Sequence, residues 1–387
     1  MGSGMYLKRL LDLTKTLQHK SCFLFGPRQT GKTSLIRETL GQYRSYTLLD
    51  SQDYLKLSQN PKLLEQERQD QEEIVIIDEI QRLPNLLNEV HLLIEKYNLR
   101  FLLTGSSARK LRRGGVNILG GRARSKTLHP FSYSELGGQF KLLHALKYGL
   151  LPSIYFSDSP LEDLRAYTGD YLKEEIASEA LVRNISAFSR FLQIAALCNG
   201  QILNYAKISS DAQVPATTVQ EYFQILRDTL LAFDLPAWKQ SLKRKPITTS
   251  KFYFFDGGIA RFLQHQTDLN EKTPEFGFAF EHFIMHELKT YVDYHQNQEL
   301  HYWRSASGYE VDFIFDNRVA IEVKAKDWVT ERDLRGIKAL KEEGLLQQYC
   351  VVTMEKRPRE IDGIFLYPWE PFLKKLWKGD VDSRVYK

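Results

Sequence analysis

The sequence predicts a multidomain α/β protein, and three features support this prediction. The chain has 387 residues, which exceeds the length at which one hydrophobic core stops growing, so two or three domains are expected. An apolar run at residues 21–25 is typical of a buried parallel strand, the pattern after Pro152 is helical, and apolar and polar residues alternate near the C-terminus. We therefore expect a parallel-sheet domain over residues 5–150, a helical middle domain over 151–260 and an α/β domain over 261–387.

The composition is typical of a soluble globular protein, with 43% hydrophobic and 26% charged residues. No apolar run approaches the roughly 18 to 20 residues that a membrane span requires, and the N-terminus lacks the basic-then-apolar order of a signal peptide. We therefore expect a cytoplasmic protein without a membrane partner. Cys22, Cys198 and Cys350 lack the spacing of a zinc site or a disulfide framework, so we expect buried thiols.

Positive charge is concentrated in two runs, although the formal net charge is only +5. Residues 100–129 contain eight Lys or Arg and no acid, and residues 239–251 contain five, again without an acid. Such patches can supply phosphate contacts that the net charge conceals. The alternative for each run is a solvated loop.

A glycine-rich loop follows the first apolar strand and leads into a helix. It consists of Gly26, Pro27, Arg28, Gln29, Thr30, Gly31, Lys32 and Thr33, and Ser34 begins the helix. This is the pattern G-x-x-x-x-G-K-T of a P-loop, whose backbone N–H groups turn inward around a phosphate. Lys32 would reach the β and γ oxygens and Thr33 would offer a hydroxyl to Mg²⁺, while the helix N-terminus faces the anion. The loop predicts ATP binding.

A second strand, at residues 73–79, ends in Asp78 and Glu79. Asp78 would join the Mg²⁺ shell, and Glu79 would act as the catalytic base that polarises the attacking water. A carboxylate aimed at water favours hydrolysis over phosphoryl transfer. A third strand from Arg100 ends in the hydroxyls of Thr104, Ser106 and Ser107, which would sense the γ-phosphate or orient the water.

These strands and the P-loop together resemble the AAA+ superfamily. More narrowly, residues 103–107 (LTGSS), Gly121-Arg122 and residues 129–135 (HPFSYSE) resemble a bacterial and archaeal AAA-type group whose members carry a conserved C-terminal domain of uncharacterised function. The resemblance covers most of the chain. It implies that Arg122 acts near the γ-phosphate, and the alternative is an ordinary salt-bridging arginine. An arginine that acts in trans would require a homo-oligomer.

The middle segment predicts a winged helix. A short helix near residues 204–214, a turn at Pro215 and a longer amphipathic helix over 218–230 form a helix-turn-helix pattern. The second basic run and the strand at 252–255 would form the wing. Glu221 and Asp228 on the second helix oppose a phosphate backbone, so the alternative to reading DNA is a packing role within the protein.

The C-terminal segment places acidic residues on a helix and a hairpin. Glu281 lies on an amphipathic helix, Asp312 on one strand, Glu322 and Lys324 on one face of the next, with Asp316-Asn317 at the turn. The C-terminal pattern resembles the PD-(D/E)XK nuclease superfamily, which has a restriction-endonuclease-like α/β fold. The pattern consists of an Asp, nine further residues and then Glu-x-Lys, with a Glu on a helix upstream. The name of the superfamily implies a proline before Asp312, which this chain lacks.

This resemblance implies a divalent metal site. Asp312, Glu322 and Glu281 would hold Mg²⁺, with Mn²⁺ as a substitute, and Lys324 would position or deprotonate water. The alternatives are a solvated Glu-x-Lys face and a nuclease fold that has lost cleavage. The sequence thus predicts a protein that couples ATP hydrolysis to the binding or metal-dependent cleavage of nucleic acid, and DNA is favoured over RNA. The rival hypothesis is a non-cleaving ATP-dependent switch whose C-terminal fold and winged helix bind DNA or a protein.

Overall fold

The computed structural model describes residues 6–105, 119–171, 184–295 and 297–381. They divide into two compact units. The first unit comprises Met1–Phe131 with Asp228–Leu231, and the second comprises Ser132–Arg227 with Ala232–Lys387. The domain boundaries near residues 150 and 260 stay predictions. Ser106, Ser107 and four of the eight cations in the first basic run lie outside the described residues.

The first unit contains a five-stranded parallel sheet in the order β2-β3-β4-β1-β5. The strands are β1 (Ser21–Phe25), β2 (Arg44–Thr47), β3 (Ile74–Asp78), β4 (Arg100–Gly105) and β5 (Ala123–Thr127). Among the residues that the structure describes, the helices of this unit are α1 (Leu13–Leu17), α2 (Lys32–Leu40), α3 (Ser51–Gln59), α4 (Leu63–Gln66) and α5 (Leu86–Tyr97). Because all the strands are parallel, their carboxyl ends lie along one edge, where ligands of such sheets bind.

The central strands of this sheet are continuous apolar runs because both faces are covered. Every residue of β1 is buried, and so are the first four residues of β3. Ile77, Leu103 and Phe101 pack in one cluster with Val90 and Leu93 of α5. This packing fixes the strand ends that carry the predicted polar residues.

The second unit begins with helices and then forms a small three-stranded sheet. The helices are α6 (Tyr133–Leu136), α7 (Leu142–Tyr148), α8 (Pro152–Tyr155), α9 (Pro160–Ala166), α10 (Ile185–Leu197), α11 (Tyr205–Ala212), α12 (Ala216–Asp228) and α13 (Gly257–Leu263). The strands β6 (Gln201–Ile202), β7 (Ala232–Leu235) and β8 (Lys251–Phe254) pair antiparallel in the order β6-β8-β7. α11 and α12 are the two helices that the helix-turn-helix pattern predicts, and the Asn204 side chain caps α11 by accepting from Lys207 N.

A long helix and a six-stranded mixed sheet complete the second unit. These elements are α14 (Pro274–His295), β9 (Leu300–Arg304), β10 (Glu310–Phe315), β11 (Val319–Lys324), α15 (Arg335–Lys341), β12 (Gln348–Thr353), β13 (Arg359–Ile361), β14 (Ile364–Pro368) and α16 (Trp369–Lys378). The strand order is β13-β14-β12-β11-β10-β9, with β9, β10 and β11 antiparallel and β12 parallel to β11. α14 packs on the three antiparallel strands and α15 on β10 and β11.

Two local predictions can be compared with this structure. The turn between β10 and β11 contains Asp316 and Asn317, both with positive φ, as predicted. Cys22 and Cys350 are buried free thiols, whereas Cys198 is only half-buried, so the prediction of a buried thiol was wrong there. Cys198 follows the last residue of α10 rather than lying inside it.

Candidate functional sites

The P-loop leaves β1 at Gly26, where only glycine fits. A Cβ on Gly26 would lie 2.6 Å from the carbonyl oxygen of Leu128, and Gly31 has a φ of 93°, which favours glycine. Lys32 is buried, and its ammonium donates to the carbonyls of Gly26 at 2.7 Å and Pro27 at 3.1 Å. The loop therefore holds the Lys32 ammonium against its own backbone.

The remaining P-loop side chains differ in exposure. Thr30 is fully buried, and its hydroxyl donates to the carbonyl of Pro27 at 2.8 Å. Arg28, Gln29 and Thr33 are exposed, and Ser34 is half-buried. Thr30 therefore stabilises the loop, and the exposed Thr33 hydroxyl stays predicted as the Mg²⁺ ligand.

A buried arginine that the sequence reasoning missed anchors this loop. Arg9 donates from Nη1 to the Thr30 carbonyl at 2.7 Å and from Nη2 to the His129 carbonyl at 2.6 Å, and its guanidinium lies over the Phe131 ring. It thereby joins the loop after β1 to the segment after β5. An isolated arginine far from the motif carries no pattern that would have identified it.

Thr104 connects the ends of β3 and β4. The register of the two parallel strands pairs Ile77 with Leu103, so Asp78 and Thr104 are neighbours at the carboxyl edge. The Thr104 hydroxyl donates to Asp78 Oδ1 and accepts from the Glu79 N–H at 3.1 Å. The structure therefore brings these three predicted site residues together.

Glu79 has a buried carboxylate on a strained backbone. Its φ is 61°, which is uncommon for a non-glycine residue, and its side chain accepts a hydrogen bond from Gln81 Nε2. Burial raises the pKa of Glu79 and nearby Asp78 adds to this effect, while the Lys32 ammonium lowers it. A carboxylate with a raised pKa is a stronger base. Sequence reasoning did not identify Gln81 as its partner.

Arg122 forms an ion pair in this structure. Its Nε donates to Glu95 Oε1 on α5, and its side chain is 37% exposed. This is the salt-bridging alternative that the sequence left open, and the role near a γ-phosphate stays a prediction.

In the second unit, Asp312 and Glu322 lie close together on neighbouring strands. The antiparallel register pairs Phe313 with Ile321, and the charge of Asp312 acts on the Glu322 carboxyl group. Asp312 Oδ2 also accepts from the Val323 N–H at 2.8 Å. Lys324, two residues beyond Glu322, lies on the same face and its Nζ is 2.5 Å from Glu322 Oε1.

Glu281 and Glu310 extend this group into a carboxylate cluster, which we define as Glu281, Glu310, Asp312 and Glu322. Glu281 of α14 accepts from the Tyr253 hydroxyl at 2.9 Å. Glu310 lies two residues before Asp312 on β10, and Lys251 Nζ is 2.5 Å from Glu310 Oε1 and 3.8 Å from Glu281 Oε1. Sequence reasoning predicted Glu281 but neither Glu310, Lys251 nor Tyr253 as part of this site.

Burial and mutual repulsion perturb these carboxyl groups. Burial, together with Asp312, raises the pKa of Glu281 to about 7 and that of Glu322 to about 8. Burial also raises the pKa of Asp312, against the lowering effects of Lys324 and Lys251. A bound cation stabilises the ionised form of carboxyl groups that repel one another at close range.

The cluster offers carboxylate oxygens to a cation, but its acids are not already arranged as a complete metal site. Glu322 Oε2 is buried without a hydrogen-bond partner, and carboxylate oxygens are the ligands that Mg²⁺ and Mn²⁺ prefer. Across the described ranges, however, no three His, Cys, Asp or Glu side chains are already arranged to hold a metal ion. The Lys251 and Lys324 ammonium groups bind Glu310 and Glu322 instead.

Several cations of the second basic run form contacts within the second unit. Arg244 pairs with Glu342 at 2.5 Å and Glu343 at 3.4 Å, and Lys243 Nζ donates to the Glu342 carbonyl. Lys251 is 4% exposed. These contacts disfavour the interpretation of the run as a surface for phosphate.

Three family models match consecutive parts of the chain. Residues 18–137 match an AAA domain, residues 139–272 match a domain of unknown function (DUF8612), and residues 276–372 match a second domain of unknown function (DUF4143). No curated protein matches the chain. The AAA match and the P-loop geometry show that the first unit carries a P-loop ATPase domain of the AAA+ type, which binds ATP.

Two solved structures show distant likeness. One is a Signal Transduction ATPase with Numerous Domains protein with a tetratricopeptide repeat sensor from Pyrococcus horikoshii, at 16% identity and a TM-score of 0.27, covering 73% of this chain and 48% of that one. The other is the Orc1 protein of Aeropyrum pernix in complex with DNA, at 14% identity and a TM-score of 0.23, covering 64% and 86%. This chain thus spans about half the length of the first. Within the described residues, no helix is both long and apolar enough to cross a membrane.

Proposed function

We propose that this protein hydrolyses ATP and that its nucleotide state controls a metal-dependent, nuclease-like site in the second unit. The observation that carries the proposal is that the Asp312 carboxylate accepts from the N–H of Val323, the residue after Glu322, while Lys324 Nζ lies 2.5 Å from Glu322 Oε1. Two carboxylates and an ammonium on adjacent strands suit phosphodiester hydrolysis, because the acids would hold a cation and the lysine would neutralise developing charge.

In the ATPase half, we propose a role for each predicted residue. Lys32 would bind the β- and γ-phosphates, while Thr33 and Asp78 would hold Mg²⁺. Thr104 fixes the Asp78 carboxylate and the Glu79 backbone through its hydroxyl, and Glu79 would activate water. Arg122 would leave Glu95 and reach the γ-phosphate of a neighbouring subunit, so we propose a homo-oligomer.

In the nuclease-like half, Glu281, Asp312 and Glu322 would hold Mg²⁺ or Mn²⁺. The unpartnered Glu322 Oε2 is the observation that supports this fit. A bound divalent ion lowers the pKa of a water ligand and neutralises phosphate charge. Lys324 would orient the attacking water and steady the charge on phosphate.

The substrate that we propose is nucleic acid, DNA rather than RNA. A shallow cavity of about 670 Å³ adjoins the cluster, and its lining includes Glu322, Lys324, Arg332 and Arg335. Arg332 and Arg335 are exposed, so they are available to a phosphate backbone. We propose that the helices α11 and α12 and the small sheet form the predicted winged helix and make a second contact with DNA.

Cleavage tests the proposal directly. The full-length protein would be incubated with Mg²⁺ or Mn²⁺ and single- or double-stranded DNA and RNA, beside the double variant Asp312→Ala, Lys324→Ala. Metal-dependent cleavage by the wild type and a loss of at least about a hundredfold in the variant are expected. Asp327→Ala, Lys356→Ala changes the same residue types at exposed positions and should retain wild-type turnover.

A second candidate is a non-cleaving ATP-dependent switch that uses the second unit to bind DNA or a protein. The ion pairs of Lys251 with Glu310 and Lys324 with Glu322 favour it, because they satisfy acids that would otherwise need a metal. Identical, absent turnover in the wild type and in Asp312→Ala, Lys324→Ala, with nucleic-acid binding that depends on ATP, would support the switch and reject the nuclease.

A further inference from the structure

Lys251 reaches the carboxylate cluster from a different sheet. It is the first residue of β8, in the three-stranded sheet, whereas Asp312 and Glu322 belong to the six-stranded sheet. Its ammonium is 2.5 Å from Glu310 and 3.8 Å from Glu281, and only 4% of the residue is exposed. A buried lysine so placed is paired by necessity, because a lone buried ammonium is costly.

Backbone pairing and a ring hold this lysine in position. Lys251 pairs with Ile202 of β6 and Leu235 of β7, and its Nζ lies 5.2 Å from the centroid of the Tyr302 ring. Tyr253, two residues along β8, donates to Glu281. The strand therefore brings two side chains, Lys251 and Tyr253, into contact with Glu310 and Glu281.

The acids of the cluster outnumber the cations that pair with them. Four carboxylates face the ammonium groups of Lys251 and Lys324, and Arg304 Nη1 lies 3.5 Å from Glu310 Oε2. A cavity of about 420 Å³ borders Lys251, Glu281 and Glu310. An ion could enter through this cavity, or the displaced ammonium could move into it.

We propose that Lys251 is a built-in cation that competes with a divalent metal ion for Glu281, one of the three proposed metal ligands, so that metal binding displaces the Lys251 ammonium from this carboxylate. This inference rests on the proposed metal site. A unit positive charge within 4 Å of two carboxylates opposes a second cation at the same oxygens, and two such charges cannot share the ligands without repulsion. Removal of the ammonium charge strengthens metal binding.

Metal affinity tests this competition without a measurement of activity. Mn²⁺ would be titrated calorimetrically into full-length wild type, Lys251→Met and Lys251→Gln, with Lys251→Arg as the variant that keeps the charge. The two neutral variants are expected to bind Mn²⁺ at least about tenfold more tightly than the wild type and than Lys251→Arg. Mn²⁺ is also expected to raise the unfolding temperature of the neutral variants more than that of the wild type.

Two control variants show whether the measured Mn²⁺ binding belongs to the carboxylate cluster. Lys239→Met, at an exposed position of the same basic run, should bind Mn²⁺ as the wild type does. Asp312→Asn added to Lys251→Met should remove the tight binding, and circular dichroism should show each variant folded.

The outcomes separate this inference from the proposed function. If Mn²⁺ binding in both neutral variants is equal to or weaker than in the wild type, and is still lost when Asp312→Asn is added to Lys251→Met, the competition is overturned and the metal site stands. No Mn²⁺ binding that depends on Asp312 in any variant would overturn the metal site, and the competition with it.

Discussion

At the scale of single residues, the proposed ATPase site contains side chains that are held by specific contacts. Glu79 has a positive φ, its N–H donates to Thr104, and its carboxylate accepts from Gln81. A strained backbone persists only where its surroundings hold it, and such residues cluster at active sites. Burial and the Gln81 hydrogen bond thus hold the Glu79 carboxylate in place.

Glu79→Gln should abolish ATP hydrolysis, with a loss of at least about a hundredfold, because an amide cannot take a proton from water. ATP binding should be retained, since the P-loop contacts are unchanged. Phosphate release and the binding of a fluorescent ATP analogue measure the two effects. Glu73→Gln, at an exposed carboxylate just before the same strand, is the matched control. Retention of wild-type hydrolysis in Glu79→Gln would exclude Glu79 as the base.

His282 shows how burial selects a protonation state. Its Nε2–H donates to the Phe254 carbonyl at 2.9 Å, and its Nδ1 accepts from Asn199 Nδ2 at 3.0 Å, which requires the neutral ring. Burial lowers the pKa of His282 to about 4. Between pH 6.5 and 4 the unfolded chain therefore binds this proton first, so His282 contributes stability above about pH 6.5 that is lost as the pH falls.

Between pH 7 and pH 5, the free energy of unfolding of the wild type should fall by about 2 kcal/mol more than that of His282→Gln. Urea denaturation followed by tryptophan fluorescence measures this, because all five tryptophans belong to the second unit. His19→Gln, at an exposed position, should keep the wild-type dependence. The same fall in wild type and His282→Gln would contradict the assignment.

At the scale of elements, close approaches between segments decide where the cluster forms. Gly336 in α15 lies so near β10 that a Cβ would be 2.0 Å from the Glu310 carbonyl oxygen. The helix can therefore pack on the strand that carries Glu310 and Asp312 only with glycine at this position.

Gly336→Ala should destabilise the second unit by about 1–3 kcal/mol, because the helix must move away from β10. The control is Gly277→Ala in α14, where a Cβ meets no atom within 4 Å and where alanine should raise stability by about 0.5–1 kcal/mol. The tryptophan-monitored urea transition compares the two. Equal stability of Gly336→Ala and the wild type would contradict the packing.

Sequence patterns predicted the elements whose signals are local. The P-loop strand, the helix pair around Pro215 and the β10–β11 turn each depend on a few adjacent residues, and the register then follows from the turn. The strands β12 and β14 were not predicted, although the apolar run Tyr349–Val352 was a usable signal.

Long-range contacts escaped prediction for a physical reason. Arg9 bonds to His129, and Lys251 bonds to Glu310, across separations that no periodicity records. The second basic run shows the same limit, since its charge was visible while its partners Glu342 and Glu343 lay far along the chain. The sequence shows where these Lys and Arg residues are, but only the tertiary structure shows which acids they pair with.

At the scale of the whole molecule, the chain joins an ATPase unit to a unit with an acidic cluster. The AAA domain match covers the first site, and both remaining matches are to domains of unknown function. A segment of the chain also returns to the first unit, since Asp228–Leu231 belong to it while the flanking residues belong to the second. We propose that ATP hydrolysis changes the first unit and that the chain transmits this change to the cluster.

The most direct measurement of this coupling compares wild type and Lys32→Ala with nucleic acid and Mg²⁺ or Mn²⁺, without nucleotide, with ADP, with ATP and with a non-hydrolysable ATP analogue. Cleavage and nucleic-acid binding should differ at least several-fold between nucleotide states in the wild type, because a bound ligand shifts the equilibrium between conformations. Lys15→Ala, at an exposed lysine, should keep this difference and Lys32→Ala should lose it. Cleavage and binding that are the same in Lys32→Ala as in the wild type at every nucleotide state would contradict control by ATP.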